Sequence, residues 1–333
     1  MDMKAKRYRC IGAGCCGSIW TPDNVDWVVK CEDGGNRGRS VANDQLMHRR
    51  VIVAATERDK GTSRLELRFC IPKSMEIIEA EDEWWTSHLK QFPSDRTACR
   101  AYFQERIPSV PVPIRDMLID RYCPKAIQAA TRASRENEDC LIRIYNGKRR
   151  RQGRPPTFFN LRNYGLHIDQ MHELGLDPNA IVKVLAEALA HCYWRAHVDA
   201  NDIEFVFAPA SSKHSSTPTF MIAGLEQELV IWMLDYDCVR DMGQSKEGIR
   251  RAVHAFYQND SYFPRPHFYG HTGDDVRLWE SFKGYFLEIS EAILGDRKLA
   301  DEWVRMIEEE GRRRAVNDTA CVCVLHSDHS VAA

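Results

Sequence analysis

The sequence lacks several features that would assign it to a familiar class of protein. No apolar run approaches the roughly 18 residues of a membrane span, and the opening segment MDMKAKRYRC has no apolar core of a secretion signal. Neither charge is in large excess, since the formal net charge is −2. Any contact with nucleic acid must therefore come from a local basic patch. We expect a cytoplasmic protein that contacts neither a membrane nor DNA.

Closely paired cysteines are also missing, although the chain has 12 cysteines. Cys15 and Cys16 are adjacent, Cys321 and Cys323 are two apart, and no C-x-x-C pair occurs. Structural zinc sites usually use paired short spacings. Scattered thiols in a reducing compartment stay reduced. The spacing therefore predicts neither a metal site nor a disulfide framework.

The size and composition of the chain are those of a globular protein. Its 333 residues are 44% hydrophobic and 28% charged, which is enough apolar surface for a substantial core. We expect an N-terminal lobe over residues 1–146, a basic linker over 147–156, a mostly helical C-terminal lobe over 157–315 that carries the site, and a loose tail over 316–333.

A glycine-rich segment, RCIGAGCCGSIW, places Gly12, Gly14 and Gly17 in a G-x-G-x-x-G pattern. Such a turn lets backbone N–H groups approach phosphate oxygens. The next periodic segment, WVVKC, is typical of a strand, which favours a β-hairpin over the strand-to-helix turn of a dinucleotide site. Lys30 on that strand would reach the same phosphates. The alternative is a glycine-rich hairpin with a surface lysine.

The pattern after the lysine strand predicts a helix over Asn43–Thr56, with Asp44 or Glu57 as a partner for Lys30. Further strands are predicted over Leu65–Ile71, Cys140–Tyr145, Phe220–Ala223 and Leu229–Leu234, and further helices over Arg115–Ala133, Asp177–Ala190, Lys246–Tyr257, Val276–Leu294 and Lys298–Arg314.

An acidic segment lies in HCYWRAHVDANDIEFVF, between a helical pattern and an apolar strand. It holds His197, Asp199, Asn201, Asp202 and Glu204 within eight residues. Crowding and burial raise the pKa values of such carboxyl groups, and perturbed groups of this kind cluster at functional sites. We predict catalytic residues here; the alternative is a turn whose Asp and Asn side chains cap backbone groups.

Two further stretches carry charge. The strand LVIWML ends in Asp235 and Asp237, which alternate along the chain and would face one side, as in a metal or cation site. The segment GKRRRQGRPP blocks regular structure and is a candidate contact for phosphate backbones, or else a solvated linker. Its basic residues are Lys148, Arg149, Arg150, Arg151 and Arg154.

The order of these motifs resembles the protein-kinase and aminoglycoside-phosphotransferase fold, an α+β fold of two lobes. His197 and Asp199 match the H-x-D of its catalytic loop, and Asp235 matches the metal-binding Asp at a strand end. The position five residues after Asp199 is Glu204, where the pattern has Asn. This departure adds a charge where phosphoryl transfer uses a neutral oxygen ligand.

A second resemblance covers most of the chain. The blocks NLRNYGLHIDQM, LAEALAHCYWRAHVDANDIEFVF, WMLDYDCVRDM and NDSYFPRP are similar to a fungal family of unknown-function domains, sometimes labelled zinc finger, that includes arginine-containing cyclodipeptide synthases. The resemblance implies an enzyme of secondary metabolism that joins arginine to a second amino acid as a cyclo-(Arg-Xaa) diketopiperazine. Its substrates would be arginyl-tRNA and a second aminoacyl-tRNA, with no cofactor.

The residues are compatible with that chemistry. A carboxylate fork from Asp199, Asp202 and Glu204 would bind a guanidinium bidentately, and a carboxylate or His197 would accept the ammonium proton. Asp235 and Asp237 would help to hold substrate. The basic residues of GKRRRQGRPP, here called the basic run, would hold tRNA phosphates. One alternative is a phosphotransferase that uses ATP and magnesium with the glycine loop and Lys30. Another is a non-catalytic, pseudokinase-like module.

Overall fold

A computed structural model of the chain describes residues 7–14, 16–33, 39–56, 67–150, 159–211, 217–267 and 272–327. Two five-stranded sheets form the centres of two lobes, which confirms the expected two-lobed α+β architecture. In the described part of the chain, no helix is both long and apolar enough to cross a membrane.

The first lobe contains β1 (Tyr8–Ala13), β2 (Gly17–Pro22), β3 (Trp27–Glu32), α1 (Val41–Thr56), β4 (Ser74–Ile78), α2 (Glu83–His88) and β5 (Ala101–Glu105). Its sheet is antiparallel, in the order β1-β2-β3-β5-β4. Helix α1 packs against β3, β4 and β5 on one side. The short helix α2 contributes aromatic side chains to a cluster with Tyr8, Trp27 and Phe103.

The second lobe contains α3 (Val112–Tyr122), α4 (Gln128–Ala133), β6 (Ile142–Tyr145), β7 (Tyr164–His167), α5 (Ile168–Glu173), α6 (Pro178–Ala190), β8 (Glu204–Ala208), β9 (Phe220–Met221), β10 (Glu228–Leu234), α7 (Lys246–Gln258), α8 (Gly273–Leu294) and α9 (Lys298–Ser327). Its sheet is mixed, in the order β7-β6-β8-β10-β9, with only the β6–β7 pair parallel among the described strands.

Helix α6 carries the chain into the acidic segment. The Asp177 side chain accepts a hydrogen bond from the N–H of Asn179, and Pro178 occupies the first helical position, so the helix starts as its sequence predicts. Nearly all of the helix is buried, and it packs against α8. It passes into a π-helical turn over His191–Arg195, an irregularity common near functional sites.

Several boundaries differ from the sequence predictions. Strand β6 pairs with β7 and β8, so the second lobe begins before residue 147. The strand expected over Leu65–Ile71 is reduced, in its described part, to a single bridge from Cys70 to Trp232. The helix expected over Arg115–Ala133 breaks at Pro124, which lacks a backbone N–H. Helix α9 continues to Ser327, so the tail expected to be loose is helical up to that residue.

Candidate functional site

A cleft of about 340 Å³ lies between the two lobes. The glycine hairpin forms one wall, the segment after β5 lines one end, and acidic side chains of the second lobe lie at the other wall. Its larger apolar side chains come from both lobes and include Ile11, Ile19, Val28, Ile107, Leu141 and Leu234.

The glycine motif forms the predicted hairpin between β1 and β2, and its three glycines line the cleft. The N–H of Gly14 donates to the carbonyl of Gly17 at 2.9 Å, which closes the turn. A Cβ on Gly17 would lie 2.0 Å from the carbonyl oxygen of Cys31, whereas a Cβ on Gly14 would meet no atom within 4 Å. Gly17 is therefore required by packing on β3, whereas the space beside the Cα of Gly14 is open.

Lys30 is buried under this hairpin and is not a surface lysine. Its ammonium group forms an ion pair with Asp44 of α1 and lies 2.9 Å from Oδ1 of Asp235. Burial alone would lower the pKa of Lys30, but Asp235 and Asp44 outweigh it and hold that pKa well above its ordinary value. Asp44 is thus the helix partner of Lys30; Glu57 lies outside the described residues.

The structure places Asp199 apart from the cleft lining. This carboxylate is buried, and its Oδ1 accepts main-chain N–H groups of Asn201 at 3.1 Å and Arg240 at 2.9 Å. Burial raises its pKa above the ordinary value for Asp. His197 has a φ of 53°, and its carbonyl accepts the N–H of Met242. The contacts of the Asp199 side chain are those of the capping alternative. The catalytic roles predicted for Asp199 and His197 stay predictions.

Asp202 and Asp237 line the cleft and together hold the guanidinium of Arg39. The Arg39 Nη2 atom lies 2.8 Å from Asp202 Oδ2, and Nη1 lies 3.3 Å from Asp237 Oδ2. Burial raises the pKa of Asp202, and Arg39 acts in the opposite direction. Ligand atoms of Asp202, Asp237 and Cys238 lie within 4.8 Å of one another. The spacing of these groups could hold a metal ion, and in this structure the Arg39 guanidinium bridges the two carboxylates.

Glu204 also lines the cleft, paired with Arg143 of β6. Burial raises the pKa of Glu204 to about 7, although Arg143 acts to lower it. The extra negative charge at the position where the kinase-like pattern has Asn is therefore balanced by a cation from a neighbouring strand.

Sequence patterns missed four arginines that line the cleft: Arg39, Arg143, Arg106 and Arg162. The first two pair with acids 163 and 61 residues away, so no local spacing reveals them. The Nη2 atom of Arg162 is buried and has no hydrogen-bond partner among the described residues. The only signal available was that Arg143 alternates with buried Ile142 and Ile144 along a predicted strand.

Two arginines of the basic run form ion pairs with acidic residues of the protein itself. Arg149 donates to the carboxylate of Asp275 at 2.7–3.0 Å, and Arg150 pairs with Asp169 and Glu173. Lys148 is exposed. The predicted contacts of Arg151 and Arg154 fall outside the described residues, so the binding of RNA by this run stays a prediction.

Comparisons with known proteins match part of the chain or its fold. A family model described as "DUF3669: Zinc finger protein" matches residues 231–298, a segment with a single cysteine, Cys238. No curated protein matches. The kinase domain of maize sucrose-induced receptor kinase 1, bound to AMP-PNP, is 15% identical with a TM-score of 0.28, over 95% of this chain and 80% of that chain.

Two aminoglycoside phosphotransferase structures are similar at 9% identity and a TM-score of 0.24. One is a GDP complex of a mutant aminoglycoside 2'-phosphotransferase-IIIa, covering 94% of this chain and 93% of that chain. The other is a complex with GDP and kanamycin, covering 94% and 95%. Because the TM-scores lie below 0.5, no residue role is transferred from these proteins, and none of them is a cyclodipeptide synthase.

Proposed function

We propose that this protein is an ATP-dependent phosphotransferase that acts on a small molecule. The observation that carries the proposal is the position of Lys30, which Asp44 and Asp235 hold beneath the glycine hairpin. A cation fixed on both sides is pre-organised to bind phosphate oxygens. The turn at Gly14, where an added Cβ would meet no atom within 4 Å, leaves space beside the hairpin for the same phosphates.

The rest of the cleft suits a nucleotide and an acceptor. The apolar side chains of both lobes form walls that would enclose a flat purine ring. Asp202 lines the cleft with 42% of its side chain exposed, so it is accessible to an acceptor, unlike the capped Asp199. Asp202 would accept the proton of an acceptor hydroxyl as the hydroxyl oxygen bonds to the γ-phosphorus and the bond to ADP breaks.

The carboxylates also fit a magnesium ion. Mg²⁺ prefers oxygen ligands, and the carboxylates of Asp202 and Asp237 lie close together in the cleft. When bound, the ion would neutralise phosphate charge. Arg39 would then have to leave the position in which it bridges the two acids.

Nucleotide binding tests this proposal directly. We expect calorimetry to detect binding of Mg·ATP by the wild type, and Lys30→Met to weaken it by about tenfold or more, the effect of one lost charge-assisted hydrogen bond. Lys148→Met is the matched control, because Lys148 is exposed and outside the cleft lining. Asp202→Asn should abolish ATP hydrolysis and, because Asp202 is also one of the two proposed magnesium ligands, should weaken the binding of Mg·ATP. A wild type that binds no ATP at millimolar concentration would refute the assignment.

Synthesis of an arginine-containing cyclodipeptide from aminoacyl-tRNAs is the second candidate. One observation favours it: Asp202 and Asp237 already hold a guanidinium, that of Arg39, inside the cleft. An arginyl group could replace it with the same two contacts. Glu204, with a pKa of about 7, is suited to accept the proton of an attacking ammonium group. The terminal adenosine of a tRNA would present the same purine as ATP.

The two candidates differ in their need for ATP. Purified protein would be supplied with preformed arginyl-tRNA and other aminoacyl-tRNAs, with and without ATP, and the products analysed by mass spectrometry. Arginine diketopiperazines formed without ATP would establish the synthase, and Asp237→Asn should then reduce arginine incorporation. Turnover that strictly requires ATP would favour the phosphotransferase. Ligand binding without turnover in either assay would indicate a pseudokinase-like module.

A further inference from the structure

Two cysteines and an arginine lie together in the first lobe, outside the cleft lining. Cys31 lies on β3, is fully buried, and pairs in register with Ala101 of β5. Cys99 precedes Ala101 by two residues and is partly exposed. Side chains two residues apart on a strand share a face. The backbone ladder continues past Ala101, because the N–H of Glu32 donates to the carbonyl of Arg100 at 2.9 Å.

Arg96 holds the sulfur of Cys99. Its Nη2 lies 3.4 Å from Cys99 Sγ, while its Nη1 pairs with Asp33 and its guanidinium lies over the ring of Trp20. Asp33 in turn accepts the hydroxyl of Ser18, next to the glycine hairpin. The arginine is thereby fixed from three sides and presents positive charge to a partly exposed thiol.

The electrostatics of the two thiols differ. A hydrogen bond from Cys31 and the charge of Arg96 lower the pKa of Cys99 to about 7. The same hydrogen bond and burial raise the pKa of Cys31. Burial raises the pKa of Cys16, Cys70, Cys140 and Cys192 as well. A partly ionised, accessible thiol beside a protonated, buried one is the arrangement of an attacking and a resolving cysteine.

We propose that Cys99 and Cys31 form a peroxide-sensitive dithiol. The Cys99 thiolate attacks one oxygen of a hydroperoxide, which breaks the O–O bond, leaves hydroxide or alkoxide, and gives a sulfenic acid. The Cys31 sulfur then attacks the Cys99 sulfur, a disulfide forms, and the sulfenic oxygen leaves as water with the thiol proton. Two thiols are oxidised by two electrons, and the peroxide is reduced.

A disulfide between these two residues would be open to reduction, because Cys99 is partly exposed and precedes the regular part of β5. Lys30 directly precedes Cys31 on β3 and lines the cleft. Oxidation of Cys31 would therefore also affect the position of Lys30 in the cleft.

Mass spectrometry of oxidised protein tests the proposal, which does not depend on the function proposed above. Folded wild type would be treated with equimolar hydrogen peroxide, blocked with N-ethylmaleimide and digested with trypsin. We expect the peptide of residues 31–37 to be linked to that of residues 97–100, and dithiothreitol to release them. Cys31→Ser should instead leave Cys99 as a sulfenic acid that dimedone labels. Cys10→Ser, at an exposed cysteine, should change neither result.

Arg96→Gln supplies an independent measurement. We expect the rate of Cys99 alkylation by iodoacetamide to rise with a midpoint near pH 7 in the wild type. In the variant the midpoint should shift upward and the rate at pH 7 should fall by roughly tenfold. Any one of three results would overturn the proposal. These are recovery of both Cys31 and Cys99 as maleimide adducts, a disulfide through Cys10, and an unchanged alkylation midpoint in Arg96→Gln.

Discussion

Glu204 is the residue whose protonation should be visible in the stability of the protein. Burial raises its pKa from 4.5 to about 7, so between these pH values the folded protein keeps a proton that the unfolded chain has lost. The folded state binds more protons there, and its stability relative to the unfolded chain must fall as the pH rises through this window. Glu204→Gln mimics the protonated acid and removes this dependence.

The measurement is the melting temperature of wild type and variant between pH 4.5 and 8. We expect the melting temperature of Glu204→Gln to rise relative to that of the wild type as the pH increases, with a relative gain of about 2 °C or more at pH 8. The reason is that 1 kcal/mol shifts the melting temperature of a chain this large by about 2 °C. Glu226→Gln, at an exposed position, is the control and should track the wild type. Parallel curves for Glu204→Gln would show that Arg143 keeps Glu204 ionised throughout.

At the scale of elements, the three glycines of the hairpin are not equivalent. Gly17→Ala would force a Cβ to within 2.0 Å of the Cys31 carbonyl, so β2 must move off β3. Overpacking against rigid backbone is destabilising by typically 1–3 kcal/mol or more. Gly14→Ala meets no atom within 4 Å and should leave the stability almost unchanged. Urea unfolding of both variants gives the comparison.

The same pair of variants separates packing from ligand binding. If the hairpin contacts phosphate, Gly14→Ala should weaken nucleotide binding while its unfolding midpoint stays that of the wild type. Equal loss of stability in both variants would contradict the assigned packing of Gly17.

The sequence could predict the hairpin, β3 and helix α1, because glycine spacing, alternation and helical periodicity are local patterns. It also identified Asp202, Glu204 and Asp235 as acids near one site. It could not tell capped Asp199 from accessible Asp202, since that depends on the N–H of Arg240, far along the chain. The partners Arg39 and Arg143 depend likewise on contacts between distant segments.

At the scale of the whole molecule, polar contacts join the first lobe to the second around the cleft. Arg50 of α1 pairs with Asp241 at 2.7 Å, and the Asn43 side chain donates to the carbonyls of Asp237 and Val239. Lys30 belongs to this set, because its two acids come from different lobes. The relative position of the lobes is therefore coupled to the charges in the cleft.

Lys30 and Asp44 form a buried ion pair. Removing only one of the two charges should be strongly destabilising, whereas removing both should not. Lys30→Met leaves the Asp44 carboxylate, 1% exposed, without its counter-charge. Removing one partner of a buried pair is destabilising by about 3–5 kcal/mol. The double variant Lys30→Met with Asp44→Asn should recover more than half of that loss. The neutral amide needs no cation, and its oxygen can still accept the Tyr102 hydroxyl and the Tyr236 N–H.

Urea unfolding of the two single variants and the double variant forms the thermodynamic cycle for this pair. The matched control is the exposed pair Arg277–Asp274, where Arg277→Met should change the free energy of unfolding by less than about 0.5 kcal/mol. A double variant whose loss equals the sum of the single losses would show that Lys30 and Asp44 do not stabilise each other. In that case Asp235, 2.9 Å away in the other lobe, would be the partner that fixes Lys30, and the orientation of the lobes would depend on that contact.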